Sequence, residues 1–522
     1  MPFFDFHLHP VLKCIFSDED AAKGLRKLSP WEKLDTRRIP LLLKACSDFS
    51  YILQSQSNLA QLAYNECNLI CVALYIPEKD MLDNALIKGQ ANGPLNVYLQ
   101  PDKVRSIIDG NPYQLLITDD WNTLTNNAAF GITDRKVKSL KKRSDYNEKD
   151  TNTIHAVFSI EGCHTLSSAL QKFDVDEIIA NLDELRKNVS VISLNITHIE
   201  QSPLCNQAFA IQFIDKASFK PSGNQMSADG IKVLMHCYTN KIMIDVKHMS
   251  LAARMQLYNL RTTAQFAQIN QPIVCTHAGF TGIKITEIPD YILDYKRSGN
   301  NTMLLQGKPV KYGTITRPCF NASSINLYDD DIIQILKSGG IIGLSLDKRI
   351  LGYQNFEEYS TFRNDYPVET EWVSSHEESL FLPVHQGGEI GNAFNDDSCI
   401  QWDEIYDGGK VNPAMGDYHL KHFMAHVLHF IVVARDNYNV NDALNQICIG
   451  SDFDGLINPI WICDTMDELV YFQQSFENAF VDFATEANVQ LPQNFDVKKF
   501  SQKLFFENGR DFVLKRLDIL NA

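Results

Sequence analysis

The 522-residue chain has no CxxC pair among its twelve cysteines, no internal repeat and no low-complexity tract. Scattered cysteines, several inside apolar runs (Cys71, Cys275, Cys448), argue against a disulfide framework; small buried hydrophobes account for them better. No apolar run approaches the ~20 residues that a membrane helix needs. The residues before His7 hold neither a charged leader nor an apolar run of signal-peptide length, so the expected location is cytoplasmic. Positive charge is also scarce: 48 Lys and Arg face 64 Asp and Glu, a formal charge of -16. That balance argues against broad nucleic-acid or anionic-membrane binding, which needs a positive field.

What the chain does have is a hydrophobic content of 44%, ordinary for a protein with a large core. Eight apolar runs, rich in Val, Ile, Leu and Phe without strict alternation, read as buried parallel strands. They are Phe3–His7, Leu69–Tyr75, Ala156–Glu161, Val191–Thr197, Ile242–Val246, Pro272–Thr276, Gly340–Leu346 and Gln446–Gly450. Amphipathic stretches precede several of them: Leu182–Lys187, Leu251–Ala267, Asp329–Lys337 and Phe423–Ala434. Strand and helix alternating in this way predict an α/β fold, a (β/α)8 TIM barrel. The whole chain, 1–522, is expected to form one domain. Its long insertions, about 77–155, 278–326 and 347–419, follow strand C-termini, the face where barrel active sites form. The basic run Arg135–Arg143 in the first insertion reads as a solvated helix face.

Six potential ligands or acid/base groups end these runs: His7 and His9 in FFDFHLH, Glu161 in AVFSIE, His248 in IMIDVKH, His277 in PIVCTH, and Asp452 in ICIGSD. Strand ends in a barrel converge on one mouth, so residues far apart in sequence can surround metal ions there. Period-two geometry puts His7 and His9 on one side of their strand, able to grip one divalent ion. Taken alone, H-x-H is a weak signal. Glu161 alone could equally meet an arginine or a helix N-terminus, because a buried carboxylate needs some partner. The functional alternative is a pair of metals bridged by its two oxygens. His248 and His277, ending consecutive strands, supply the second metal. Asp452 is the candidate general base that relays the proton to a leaving amine, and Asp454 fixes the loop or caps the next helix. His198, ending SLNITH, is a substrate hydrogen-bond donor rather than a ligand. Asp347, ending the seventh strand, is a candidate contact for a substrate amine. His419, His422, His426 and His429 recur at three- and four-residue steps and read as a structural stripe on one helix face.

With these residues in order, the chain resembles the membrane (renal) dipeptidase family of the amidohydrolase superfamily. The likeness runs through the first-strand His motif, SIEGCHTL, LNITH, the block from Gly230 to IMIDVKHMS, THAG, NLYDDDIIQILKSGGIIGL and IGSDFDG, and the closing FFENGRDFVLKRL is similar too. The resemblance implies a metal-dependent hydrolase with a binuclear zinc site, bridged by Glu161, with His198 contacting substrate. It implies cleavage of a dipeptide or similar small substrate by a metal-activated hydroxide, and frequently a homodimer. Three departures stand out. The family's first-strand His-x-Asp reads His7-x-His9 here. Its Arg-Asn pair, whose arginine binds the substrate carboxylate, reads Ile325-Asn326, leaving Asn326 as a substrate-binding candidate and Arg317 as the candidate replacement cation. The insertions are longer than usual. Other reactions on the same centre, such as lactone or cyclic-amide hydrolysis, deamination or phosphoester cleavage, remain alternatives, as does a barrel that binds a ligand without catalysis.

Overall fold

A computed structural model describes residues 2–15, 28–34, 54–83, 101–168, 173–210, 216–309, 311–312, 320–352, 368–382 and 413–521. Eight parallel strands, each overlapping one of the predicted apolar runs, form its centre: β1 (Phe4–Leu8), β2 (Leu69–Leu74), β3 (Thr153–Ile160), β4 (Val191–Leu194), β5 (Met243–Asp245), β6 (Ile273–Ala278), β7 (Ile342–Leu344) and β8 (Ile447–Ile449). They pair in chain order from β1 to β8. Closure between β8 and β1 is made just beyond the strands: the Asp452 amide donates to the His7 carbonyl at 2.9 Å, and the His9 amide to the Phe453 carbonyl at 2.9 Å. Several strands are shorter than their apolar runs, because the chain turns into the mouth loops as soon as the ladder ends.

Helices α1 (Val175–Asn188), α2 (Ala228–Thr239), α3 (Leu251–Arg261), α4 (Asp329–Lys337), α5 (Pro413–Asn437) and α6 (Leu469–Glu486) cover the outside. Their buried faces pack with one parity of the strands, including Ile70, Val72, Leu74, Phe158, Ile160 and Ile244. The other parity lines the interior. Leu69, Cys71, Val157, Met243, Val274 and Cys448 build an apolar floor with Phe506, Val513 and Leu517 from the C-terminal segment, which ends in α7 (Asn508–Leu520). Asp245, Thr276 and Ser159, all fully buried, stand above the floor, and the ligand-type side chains stand at the rim. All nine described cysteines are free and buried.

The insertions have structure of their own. Strands Ile292–Ser298 and Asn301–Gly307 form a hairpin, and Val368–Ser374 of the third insertion pairs with it into a three-stranded antiparallel sheet. The basic run of the first insertion is not a helix face. Lys136–Ser139 is a short strand added in parallel to β3, with Lys136 and Lys138 exposed and Val137 buried. Its Lys-Val-Lys-Ser alternation has the period of a strand, and lysines suit a sheet edge. No described helix is long and apolar enough to cross a membrane.

Candidate metal centre and active site

β1 carries His7 near its end and His9 just past it. Alternation would send His7 outward, since Phe4 and Phe6 face the floor. A register shift between Asp5 and Leu8 adds one residue to β1 relative to β2, and the bulge turns His7 inward. The same device recurs in β6. Thr276 has the inward parity, and a shift against β7 between Cys275 and Ala278 brings the adjacent His277 into the mouth as well. At the end of β5 and just past it, Asp245 and Lys247 share the inward parity. His248 reaches the same space because its backbone is left-handed, with φ 69°. Asp452 also sits at positive φ, 64°, as does Asp454, 62°. Such conformations cost on the order of 1–3 kcal/mol and persist only where the surroundings impose them.

Glu161, on the step after β3, is the hub. Its Oε1 lies 3.3 Å from His7 Nε2, 3.3 Å from His248 Nε2, 3.5 Å from His198 Nε2 and 3.6 Å from His277 Nε2, and its Oε2 lies 3.3 Å from His9 Nε2. Asp452 closes the ring, with Oδ1 3.3 Å from His9 Nε2 and Oδ2 3.9 Å from His277 Nε2. Three overlapping sets, His7–His9–Glu161, His7–His277–Asp452 and Glu161–His198–His248, each bring their ligand atoms within 4.8 Å of one another. Gly455 lets Asp452 lie flat: a Cβ there would stand 2.1 Å from the Asp452 Oδ1 and 2.8 Å from His9 Cδ2.

These residues suit divalent cations. Both ring nitrogens of buried His248 lack a hydrogen-bond partner among the described residues, as expected of a side chain whose partner is a ligand. Imidazoles around a shared carboxylate are a donor set for zinc, manganese or iron. The rings are also held from behind. The Thr276 hydroxyl lies 3.0 Å from His7 Nδ1 and 3.1 Å from His277 Nδ1, and it donates to Asp245. Outer partners of this kind orient metal-binding imidazoles.

The electrostatics follow from burial and crowding. Burial, then the neighbouring His198 charge, push His248 down to about 3. Burial and the His7 charge push His277 well below the ordinary imidazole value. Burial opposes the Glu161 carboxylate, but His198, His7 and His9 together hold it well below the usual range. For His198, burial is outweighed by Glu78 and Glu161, which raise it to about 10.

Glu78 was not legible in the sequence. It lies in the β2 loop, 2% exposed, with Oε1 2.5 Å from His198 Nδ1 and Oε2 accepting from the Tyr75 hydroxyl at 2.5 Å. Burial opposes its charge, yet His198 and His164 hold it down at about 2. Its only signal is the Tyr-x-x-Glu spacing after a strand.

The rim opens into a cleft bounded by the metal-ligand candidates and by apolar walls from Ile199, Ile325, Ile350 and Leu456. Asp347 is at this cleft, its carboxylate gripped by Arg349 through Nε at 3.1 Å and Nη2 at 2.7 Å. Asn326 is fully buried and its amide is engaged by backbone: Oδ1 accepts from Gly279 N–H at 3.1 Å, and Nδ2 donates to the Asn321 and Ile350 carbonyls. It ties loops together beside the cleft. Arg317 lies outside the described residues. Asp454 points away from the centre and accepts from the amides of Gln56 and Ser57, at 2.9 and 3.0 Å, fixing the chain ahead of helix Leu59–Tyr64.

No family model matches this chain, and no curated protein matches it in sequence. Solved structures do match in fold. A metallo peptidase from Rhodobacter sphaeroides, solved with a phosphinate mimic of the dipeptide L-Ala-D-Ala, is 14% identical, covers 99% of each chain and has a TM-score of 0.50. The metallo peptidase dipeptidase AC is also 14% identical, covers 99% of this chain and 98% of its own, with a TM-score of 0.51. At that identity the likeness establishes a shared barrel fold.

Proposed function

We propose that the chain is a metal-dependent hydrolase of the membrane-dipeptidase type within the amidohydrolase superfamily, cleaving the amide bond of dipeptides or similarly small substrates. The observation that carries the reading is the gathering of His7, His9, His248 and His277 around the two oxygens of Glu161, with Asp452 beside them. The ordered motifs and the fold shared with two metallo peptidases support it. In this reading His7 and His9 would hold one divalent cation, zinc by the family resemblance, and His248 and His277 a second, with Glu161 available to both.

Bound divalent cations of this kind would polarise a substrate carbonyl and lower the pKa of water towards about 7. The protein's own groups do the rest. Asp452, at the lip of the cleft, accepts the proton of the attacking water and delivers it to the departing nitrogen. Gly455 and the left-handed backbone at Asp452 keep that carboxylate facing the centre. His198, anchored through Nδ1 by Glu78, presents Nε2 to the oxygen that gains negative charge. The apolar walls exclude water and receive the substrate side chains.

The test is metal analysis of the purified protein together with a panel of dipeptides, lactams, lactones and aryl phosphates. About two equivalents of zinc and dipeptide turnover are expected. Hydrolysis confined to lactones or lactams would move the chain to another reaction on the same centre. Stoichiometric metal with no turnover of any member would leave a binding barrel.

A further inference from the structure

Lys247 precedes His248, and the positive φ of His248 lets both side chains face the cleft that alternation would give to Lys247 alone. The residue is 2% exposed. An ammonium has three N–H donors. Among the described residues the sole hydrogen bond of this one is a long contact, 3.4 Å, to the Ile325 carbonyl. Asp452, Asp347 and Asp245 act on this charge at a distance, but Asp347 is gripped by Arg349 and Asp452 lies among the histidines, and among the described residues no carboxylate forms a close ion pair with Lys247. Burying a cation without a hydrogen-bonded counter-charge costs several kcal/mol. A buried ammonium with unused donors, aimed into an open cleft beside a catalytic centre, is a receptor for an anion that the folded chain does not itself provide.

We propose that Lys247 is the specificity-determining residue of this cleft: it binds the free carboxylate of the substrate and so fixes the scissile amide over the metal centre. The proposal rests on the hydrolase reading and adds to it the residue of this chain that takes the carboxylate end of the substrate. Arg349, locked bidentately by Asp347 and lining the same cleft, adds a second, half-exposed cation whose charge is already balanced. Lys247 is therefore the group whose charge the ligand must answer. The apolar wall of Ile199, Ile325, Ile350 and Leu456 suits an apolar side chain on the carboxylate-bearing residue.

The experiment is calorimetric binding of N-acetyl-alanine, both enantiomers, against the matching N-methylamides, on the metal-containing protein as purified. The wild type is expected to prefer the better acid over its amide by about tenfold or more, the scale of a charge-assisted hydrogen bond. Lys247→Met should abolish that preference, with metal content unchanged, and Lys247→Arg should retain part of it. If Lys247→Met misfolds, Lys247→Gln carries the same comparison, with circular dichroism and metal analysis as controls. An acid preference that survives in the neutral variant, or no preference in the wild type, overturns the assignment. Kinetics separate it from the hydrolase reading. If dipeptides are not turned over but the acid preference depends on Lys247, the reaction assignment fails and the receptor stands.

Discussion

At the barrel mouth, His7, His9, His198, His248 and His277 all turn Nε2 towards one carboxylate, Glu161, at 3.3–3.6 Å. On α5, His419, His422, His426 and His429 are just as buried, yet they face several separate groups rather than one point. His419 Nδ1 accepts from the Trp461 amide at 2.9 Å, and His426 Nδ1 from the Phe280 amide at 3.0 Å. The Leu351 carbonyl meets both His422 and His426, while His429 lies between Tyr312 and Asp329. Among the described residues no metal-capable trio forms on α5. Burial and spacing do not separate a ligand from a strut. Convergence does: the α5 histidines hold separate backbone and side-chain groups, whereas the mouth histidines gather on one carboxylate, as the proposed metal ligands would.

The sharpest way to break that distinction is at the hub. Glu161→Ala should strip metal from the mouth and lower kcat/KM by about 10³-fold or more, since the two proposed metal sites would lose the carboxylate they share; a fully metallated, active variant refutes the bridge. Asp452→Asn should lose about 10²–10⁴-fold in kcat with metal content near normal, the range of general acid–base catalysis. Unchanged turnover would end its assignment. Thr276→Val removes the hydroxyl behind His7 and His277 and should weaken metal affinity about 10–100-fold, read by competition with a chelating dye. If affinity holds, the rings are oriented by packing alone. The smallest effect belongs to the strut. His426→Leu leaves the Phe280 amide unsatisfied and should cost about 1–3 kcal/mol of stability, seen in denaturant melts, with metal content unchanged. Metal loss in that variant would dissolve the contrast between the two groups.

Much of the barrel was legible because buried parallel strands are continuous apolar runs, and all eight are found. The ligand candidates were legible because each ends such a run. The pattern misled at Arg135–Arg143, where Lys-Val-Lys-Ser is a strand at the sheet edge rather than a helix face. Asn326 drew attention through its motif, but its amide is engaged by three loops, a fact set by backbone atoms remote in sequence. Glu78 and Lys247 went unremarked for the same reason. Nothing in the residues around Glu78 tells that its carboxylate meets His198, 120 positions away. Alternation allows one of Lys247 and His248 to face inward, and the left-handed turn that admits both is invisible in a string of letters.

Hydrophobic periodicity by itself determined the kind of fold, the order of its strands and which side chains end them, since those depend on neighbours along the chain. Tertiary structure decided which of the buried polar groups share a point in space. Bulges in β1 and β6 and positive φ at His248 and Asp452 re-aim side chains that simple alternation would turn away. Such departures are imposed by contacts between distant segments, so their energetic cost and their chemical purpose exist only in the closed barrel.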